Sequence, residues 1–423
     1  MNKPYCVVSC PIDTFSGYGA RSRDFVKALI KLKAEEWDIN ILPQRWGDCP
    51  YGALNDNDPV EADIRTRILN PPQMNKQPDI WFQITVANEF QPVGKVSIGV
   101  SALVETTILP GELIEGLNRM HFNIVSSNFV KQVAQQTSFE KLDPNTKQKV
   151  GVVKVEKPIE VLFEGVDTTK YNRLNAINFD LSDIKEEFCY LTVGHWLAGD
   201  LGEDRKQITT LLKAFLETFK DKKKRPALIL KTGLAGFSIL EEEIILGQID
   251  AIRKTVGGDM PNIYFLHGEL TDEEMNAVYN HEKVKAFALV GNEGFGRPYL
   301  EFSAASSKPI ICSPFSGHVD FLNEEFNIFV TGKVDQIHTS AANAFLLKES
   351  SWFKADPKSV ETTLKEVYEN YNKYVDMGKR QGHISRTKFS FDSMVDRLKE
   401  ILDKNVPKIS VAQPISLPKL KAL

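Results

Sequence analysis

The chain has 423 residues and carries 52 Lys and Arg against 56 Asp and Glu, a formal net charge of −4. At roughly 100–200 residues per domain, that length holds two or three domains. A 42% hydrophobic and 26% charged composition excludes a disordered polyelectrolyte, a collagen and a disulfide miniprotein, and the acidic balance excludes a uniformly basic nucleic-acid coat while leaving room for a local basic groove.

No run of about 18 apolar residues occurs, so no transmembrane helix is expected. The segment from Met1 to Cys10 is too short and too soon polar for a secretory signal. Cys6, Cys10, Cys49, Cys189 and Cys312 are odd in number and scattered, which fits neither a disulfide framework nor a zinc site. Buried thiols and a cytoplasmic location are expected.

In chain order, Tyr5–Cys10 reads as a strand, and Phe25, Ala28, Leu29 and Leu32 mark the apolar face of a helix. Strands follow at Asp79–Thr85, Val96–Val100, Phe122–Ser126 and Val161–Phe163. Tyr171–Glu187 is polar and patternless, a linker near residues 170–186. A second series has strands at Phe188–Val193, Ala227–Lys231, Ile263–His267, Ala286–Val290, Pro309–Cys312 and Asn327–Val330. Its helical stripe is Ile208, Leu211, Leu212, Phe215 and Phe219. Short, almost continuously apolar strands alternating with helices predict an α/β chain with two doubly wound parallel sheets. The expected boundaries are 1–175 and 176–385 for the two domains, 386–405 for a helix returning to the first, and 406–423 for a loosely ordered tail.

The most informative stretch is Gly291-Asn292-Glu293-Gly294-Phe295-Gly296-Arg297-Pro298-Tyr299-Leu300-Glu301, directly after a predicted strand. Pro298 suits the first turn of a helix. A glycine-rich turn there offers free N–H groups and a positive dipole end to a phosphate, at the carboxyl end of a parallel strand where open sheets bind ligands. Glu293 and Glu301 flank this turn, placed to take hydrogen bonds from sugar hydroxyls. An ordinary turn whose acids stabilise the helix dipole is the plainer reading of the same spacing.

Glu293-x7-Glu301, with Gly294-Phe295-Gly296 inside it, resembles the donor-site motif of retaining family 4 glycosyltransferases, whose GT-B fold sets two Rossmann-like domains around a cleft. Other blocks resemble the family in the expected order. They are Ser16-Gly17-Tyr18-Gly19, Glu105-Thr106-Thr107 with Leu109-Pro110, Glu164-Gly165-Val166-Asp167, and Val193-Gly194-His195 through Arg205-Lys206. The resemblance covers most of residues 5–400.

What the resemblance implies is transfer of a sugar from a nucleotide diphosphate to an acceptor hydroxyl, with retention and without a metal or other cofactor. Glu293 would contact the donor sugar and Glu301 the ribose. The backbone of Phe295 and Gly296 would approach the diphosphate, which Lys206 would neutralise as it departs. His195 stands where the family has an arginine, and Arg205 or Lys231 would compensate. Gly17 and Gly19 would face the donor across the cleft, and His318, after the strand Pro309–Cys312, would contact the sugar. Leu266–Leu270 would hold the base, while His121 reads as structural. Asp56-Asn57-Asp58 matches a D-x-D metal motif but reads as a turn.

The block through Pro92 is similar to glycosyltransferases of tailed phages, which implies hydroxymethylated pyrimidines in DNA as acceptor and the host cytoplasm as location. Glycan or lipid acceptors, and a catalytically silent binding protein, are the alternatives. Lys220–Arg225 and Lys147–Lys157 are basic runs that a DNA acceptor would need on one groove.

Overall fold

The computed structural model describes residues 3–143, 145–234 and 236–409. The expected tail from 410 onward lies outside these residues. The first half runs β1 Tyr5–Cys10, α1 Gly17–Lys33, β2 Asp38–Pro43, α2 Pro59–Thr66, β3 Ile80–Ile84, β4 Val96–Ser101, α3 Gly111–Arg119, β5 Phe122–Val125, α4 Asn128–Gln136, β6 Ser138–Leu142, β7 Lys149–Lys154 and β8 Ile159–Val161. The second half runs β9 Cys189–Val193, α5 Ile208–Phe219, β10 Ala227–Lys231, α6 Ile239–Val256, β11 Ile263–Leu266, α7 Asp272–Asn280, β12 Val284–Ala288, α8 Arg297–Ser306, β13 Ile310–Cys312, β14 Ile328–Phe329, β15 Gly332–Gln336, β16 Ser351–Ala355, α9 Pro357–Glu369, α10 Val375–Lys388 and α11 Phe391–Asn405.

Two six-stranded parallel sheets result. The first is ordered β2-β1-β3-β4-β5-β8 and the second β11-β10-β9-β12-β13-β14. The inner strands are buried on both faces because helices cover both, which is why they read as unbroken apolar runs. In each sheet the order reverses beside its first strand. The crevices open between β1 and β3, and between β9 and β12, at the carboxyl ends where such sheets bind ligands.

Two expected strands are displaced by two residues. Val161–Phe163 is Ile159–Val161, and Ala286–Val290 is Val284–Ala288. In both cases the apolar run continues past the last strand residue into a buried turn, as with Leu289 and Val290. β2 and the hairpins β6–β7 and β15–β16 were not expected. β2 is an edge strand with an alternating, half-exposed pattern. Both strands of β6–β7 are mostly exposed and lysine-bearing, and the run Lys147–Lys157 contains the second of them.

Cys6 and Cys10 are buried free thiols. The helix stripes face the core as their spacing demands, with Phe25, Ala28 and Leu29 in one and the five α5 positions in the other all buried. From 162 to 188 no helix or strand forms. α11 buries Met394, Val395, Leu398, Ile401 and Leu402 in the core built by β1, β3 and α1.

Candidate active site

Between the carboxyl ends of the two sheets lies a cleft of about 1050 Å³. Its floor is set by the turn after β12 and the loop before α5. The Asp204 carboxylate accepts the N–H groups of Ile208 at 2.7 Å and Thr209 at 3.1 Å, capping α5. Gln207 then takes a left-handed φ of 55°. That sharp turn aims the Lys206 side chain back at Glu293, and the two form a buried ion pair.

The approach is close. A Cβ on Gly291 would fall 2.1 Å from the Lys206 carbonyl carbon, so only glycine fits there. Asn292 locks the arrangement. Its backbone and side-chain N–H groups both donate to the Arg205 carbonyl at 3.1 Å, and its side chain pairs with the Phe353 backbone of β16. Ser316, held at a φ of 75°, accepts the Glu293 N–H at 2.9 Å. Two non-glycine residues in strained backbone thus flank one ion pair, a pattern concentrated at functional sites.

Electrostatics sharpen the picture. Burial pushes the Glu293 carboxyl up, but Lys206 and Arg205 outweigh it and hold it below the ordinary carboxylate range. Burial, aided by Lys206, Lys231 and Arg205, pushes the His195 imidazole down to about 4, so it is neutral near pH 7. Its Nδ1 is buried with no hydrogen-bond partner among the described residues. Lys231 ends β10, donates to the Gly268 carbonyl at 2.7 Å and lies over the Phe237 ring. Burial lowers its pKa, against the pull of Glu269.

Arg297 opens α8 and bridges the cleft. Its Nε donates to Glu301 at 2.7 Å, and its terminal nitrogen to Asp24 of α1 at 2.5 Å, with Glu164 at 3.5 Å. Glu301 also accepts from the Tyr279 hydroxyl at 3.4 Å. Burial drives the Glu301 carboxyl up to about 7, although Arg297 opposes it.

No family model matches the chain, and no curated protein does. Among solved structures it is similar to HepE of Anabaena in complex with UDP and glucose, with a TM-score of 0.57 at 12% identity over 95% of this chain and 99% of that one. It is similar to a glycosyltransferase of Rickettsia africae, with a TM-score of 0.58 at 13% identity over 97% and 100%. It is also similar to the sucrose-phosphate synthase of Thermosynechococcus elongatus, with a TM-score of 0.61 at 11% identity over 95% and 99%. The fold is GT-B.

Most of the expected site residues come together in the GT-B cleft. Glu293, Lys206, Arg205, Lys231, Phe295, Gly296, Glu301 and Gly17 all line it. Two do not. A Cβ on Gly19 would meet the Thr14 carbonyl oxygen at 2.2 Å, so that glycine serves the packing of α1 on the β1 turn. His318 is fully buried behind Gly296, with Nε2 2.8 Å from the Ser313 carbonyl and its ring against Tyr299. Its Nδ1 is buried with no hydrogen-bond partner among the described residues, and the ring does not line the cleft. His121 accepts the Ser97 N–H through Nδ1, as its structural reading implied.

In the Asp56-Asn57-Asp58 turn, Asp58 caps α2 and Asp56 pairs with Arg65. Among the described residues no group of His, Cys, Asp or Glu is placed to hold a metal ion, and no helix is long and apolar enough to cross a membrane. Both basic runs lie away from the cleft. Lys220–Arg225 precedes β10, at the opposite end of the strand from Lys231, about 15 Å off. Lys147–Lys157 leads through β7 to the amino end of β8.

The sequence reading missed Glu105, Asp24, Glu164 and Arg297 as cleft residues. The i,i+4 spacing of Arg297 and Glu301 was one available signal, and the blocks opening on Glu105 and Glu164 were another. Asp24 joins the cleft only through the tertiary fold.

The raised Glu301 pKa has a stability consequence. Between the ordinary value of 4.5 and about 7, the folded chain holds a proton that the unfolded chain releases. Stability must therefore fall as pH rises through that window and level off above it. In thermal melts across this range, Glu301→Gln should gain on wild type as pH rises, by at most ~3 kcal/mol. A pH-independent difference between the two would refute the assignment.

Proposed function

We propose that the chain is a retaining glycosyltransferase that moves a sugar from a nucleotide diphosphate to an acceptor hydroxyl. The observation that carries this reading is the buried Lys206–Glu293 pair at the switch point of the second sheet, beside the amino end of α8. The amino end of α8 offers free N–H groups and its dipole to the diphosphate. Lys206 and Arg205 neutralise the charge that builds on the leaving group. Glu293 takes hydrogen bonds from sugar hydroxyls, and Glu301 from the ribose. Lys231 and His195 complete the electropositive end of the cleft, with neutral His195 available as a donor. The acceptor attacks on the face the diphosphate leaves, and the departing phosphate takes its proton, so no protein nucleophile is required. HepE and its UDP complexes support a uridine nucleotide as the first donor to test.

Retention of the Lys206–Glu293 pair favours activity over a silent binding role. The similarity to tailed-phage enzymes favours hydroxymethylated pyrimidines in DNA as acceptor, modified in the host cytoplasm. Tyr18 and Trp46, stacked at 4.1 Å on the cleft wall, offer such a base a stacking surface. The position of both basic runs away from the cleft favours instead a glycan or lipid, which brings no phosphate track.

The test is a screen of UDP-, GDP-, ADP- and dTDP-sugars by calorimetry, followed by transfer assays on hydroxymethylcytosine duplexes, glycans and lipids. One donor should bind and one acceptor should gain the sugar. If no nucleotide sugar binds, the reading is wrong.

A further inference from the structure

Arg205 and Lys206 are adjacent, and each holds a carboxylate in the cleft. Lys206 pairs with Glu293 of its own half, whereas Arg205 reaches across to Glu105, in the loop after β4 of the other sheet. Both Arg205 and Glu105 are largely buried, at 15% side-chain exposure each. The Glu105 carboxylate also lies 3.4 Å from where a Cβ of Gly294 would stand, directly beside the turn that faces a diphosphate. Arg205 still has a buried Nε without a hydrogen-bond partner among the described residues. The four charged groups sum to zero, two cations against two carboxylates.

A nucleoside diphosphate arriving here brings its own negative charge to cations that are already satisfied. The weaker link is the one across the cleft, because Glu105 sits on the other sheet and can part from Arg205 without disturbing the turn that builds the floor. We propose that Glu105 is a resident counter-ion that the diphosphate displaces from Arg205, and that re-forms its pair to help expel the nucleoside diphosphate product. This rests on the donor reading given above. Glu105 on this account is a positioning residue that acts through Arg205. It limits affinity and speeds release, which matters because product release often limits turnover.

The experiment measures affinity for UDP, GDP, ADP and dTDP by calorimetry, and dissociation rate by stopped flow, in wild type, Glu105→Gln, Arg205→Gln and the double variant. Glutamine keeps the shape and removes the competing charge. Glu105→Gln should bind the preferred diphosphate about five- to tenfold more tightly and release it more slowly by a similar factor. Arg205→Gln should bind more weakly, and in that background Glu105→Gln should change nothing. A gain in affinity cannot come from a damaged fold, so the expected sign separates this role from a merely structural one. Unchanged or weaker binding by Glu105→Gln, or a gain that persists without Arg205, overturns this inference alone. Absence of binding by wild type and variant to all four diphosphates overturns both this inference and the donor reading.

Discussion

Glu293→Ala is expected to reduce sugar transfer by about 10²–10³-fold, the scale on which one preorganised polar group at the reacting centre acts. The same change also leaves Lys206 buried without its partner, and breaking a buried pair in this way costs about 3–5 kcal/mol. The two effects separate in the double variant Glu293→Ala/Lys206→Met. Removing both charges restores much of the melting temperature, since neither is then left uncompensated, but it cannot restore transfer. Turnover is read as release of nucleoside diphosphate from the donor, and stability from thermal melts. Undiminished turnover by Glu293→Ala would sink the role assigned to this carboxylate.

The parallel sheets were legible because burial on both faces makes a strand a short, unbroken apolar run. Ala227–Lys231 is found at the expected residues for that reason. β2 and the β6–β7 hairpin escaped because an edge strand or exposed ribbon carries polar residues at every second position or more, and resembles a loop. The displaced β8 and β12 mark a related limit. Apolarity reports burial, and burial continues beyond the last strand residue.

The candidate site divides along the same physical line. Glu293, Glu301, Phe295 and Gly296 sit in one local segment, so their juxtaposition follows from strand, turn and helix alone. Lys206 was legible through resemblance, but its aim depends on a left-handed Gln207 and on an Asp204 cap that no periodicity announces. His318 is a sugar contact only by resemblance, and its ring lies behind Gly296, off the cleft lining. The neighbouring backbone, at 2.8 Å from its Nε2, turned the ring inward. Residues that meet only across the cleft, such as Glu105 with Arg205, leave no trace in local spacing.

Arg297→Leu should have the largest effect on the relation of the two halves. One guanidinium holds Asp24 and Glu164 on the first half and Glu301 on the second, with side-chain exposures of 11%, 13% and 10%. Removing it leaves Asp24, Glu164 and Glu301 without their shared partner; Arg21 still offsets Glu164 and Asp24, and Arg23 offsets Asp24, but among the described residues no cation of the first half replaces the contact to Glu301. A loss of about 3–5 kcal/mol follows from the uncompensated buried charge, and at ~1 °C per kcal/mol for a chain of 423 residues the melting temperature should drop by about 3–6 °C. At a pH well above 7, where Glu301 is ionised, the carboxylates on opposite walls repel, so the cleft should also open. Scattering in solution would then report a larger radius of gyration. The opening is bounded, because Lys170 still ties Glu61 of the first half to Asp272 of the second. Arg297→Lys should recover little. An ammonium is a point charge, whereas the guanidinium reaches Glu301 through Nε and Asp24 through a terminal nitrogen at once. If lysine rescues both the melt and the radius, charge alone is what the site requires. If leucine changes neither, Arg297 does not hold the cleft closed.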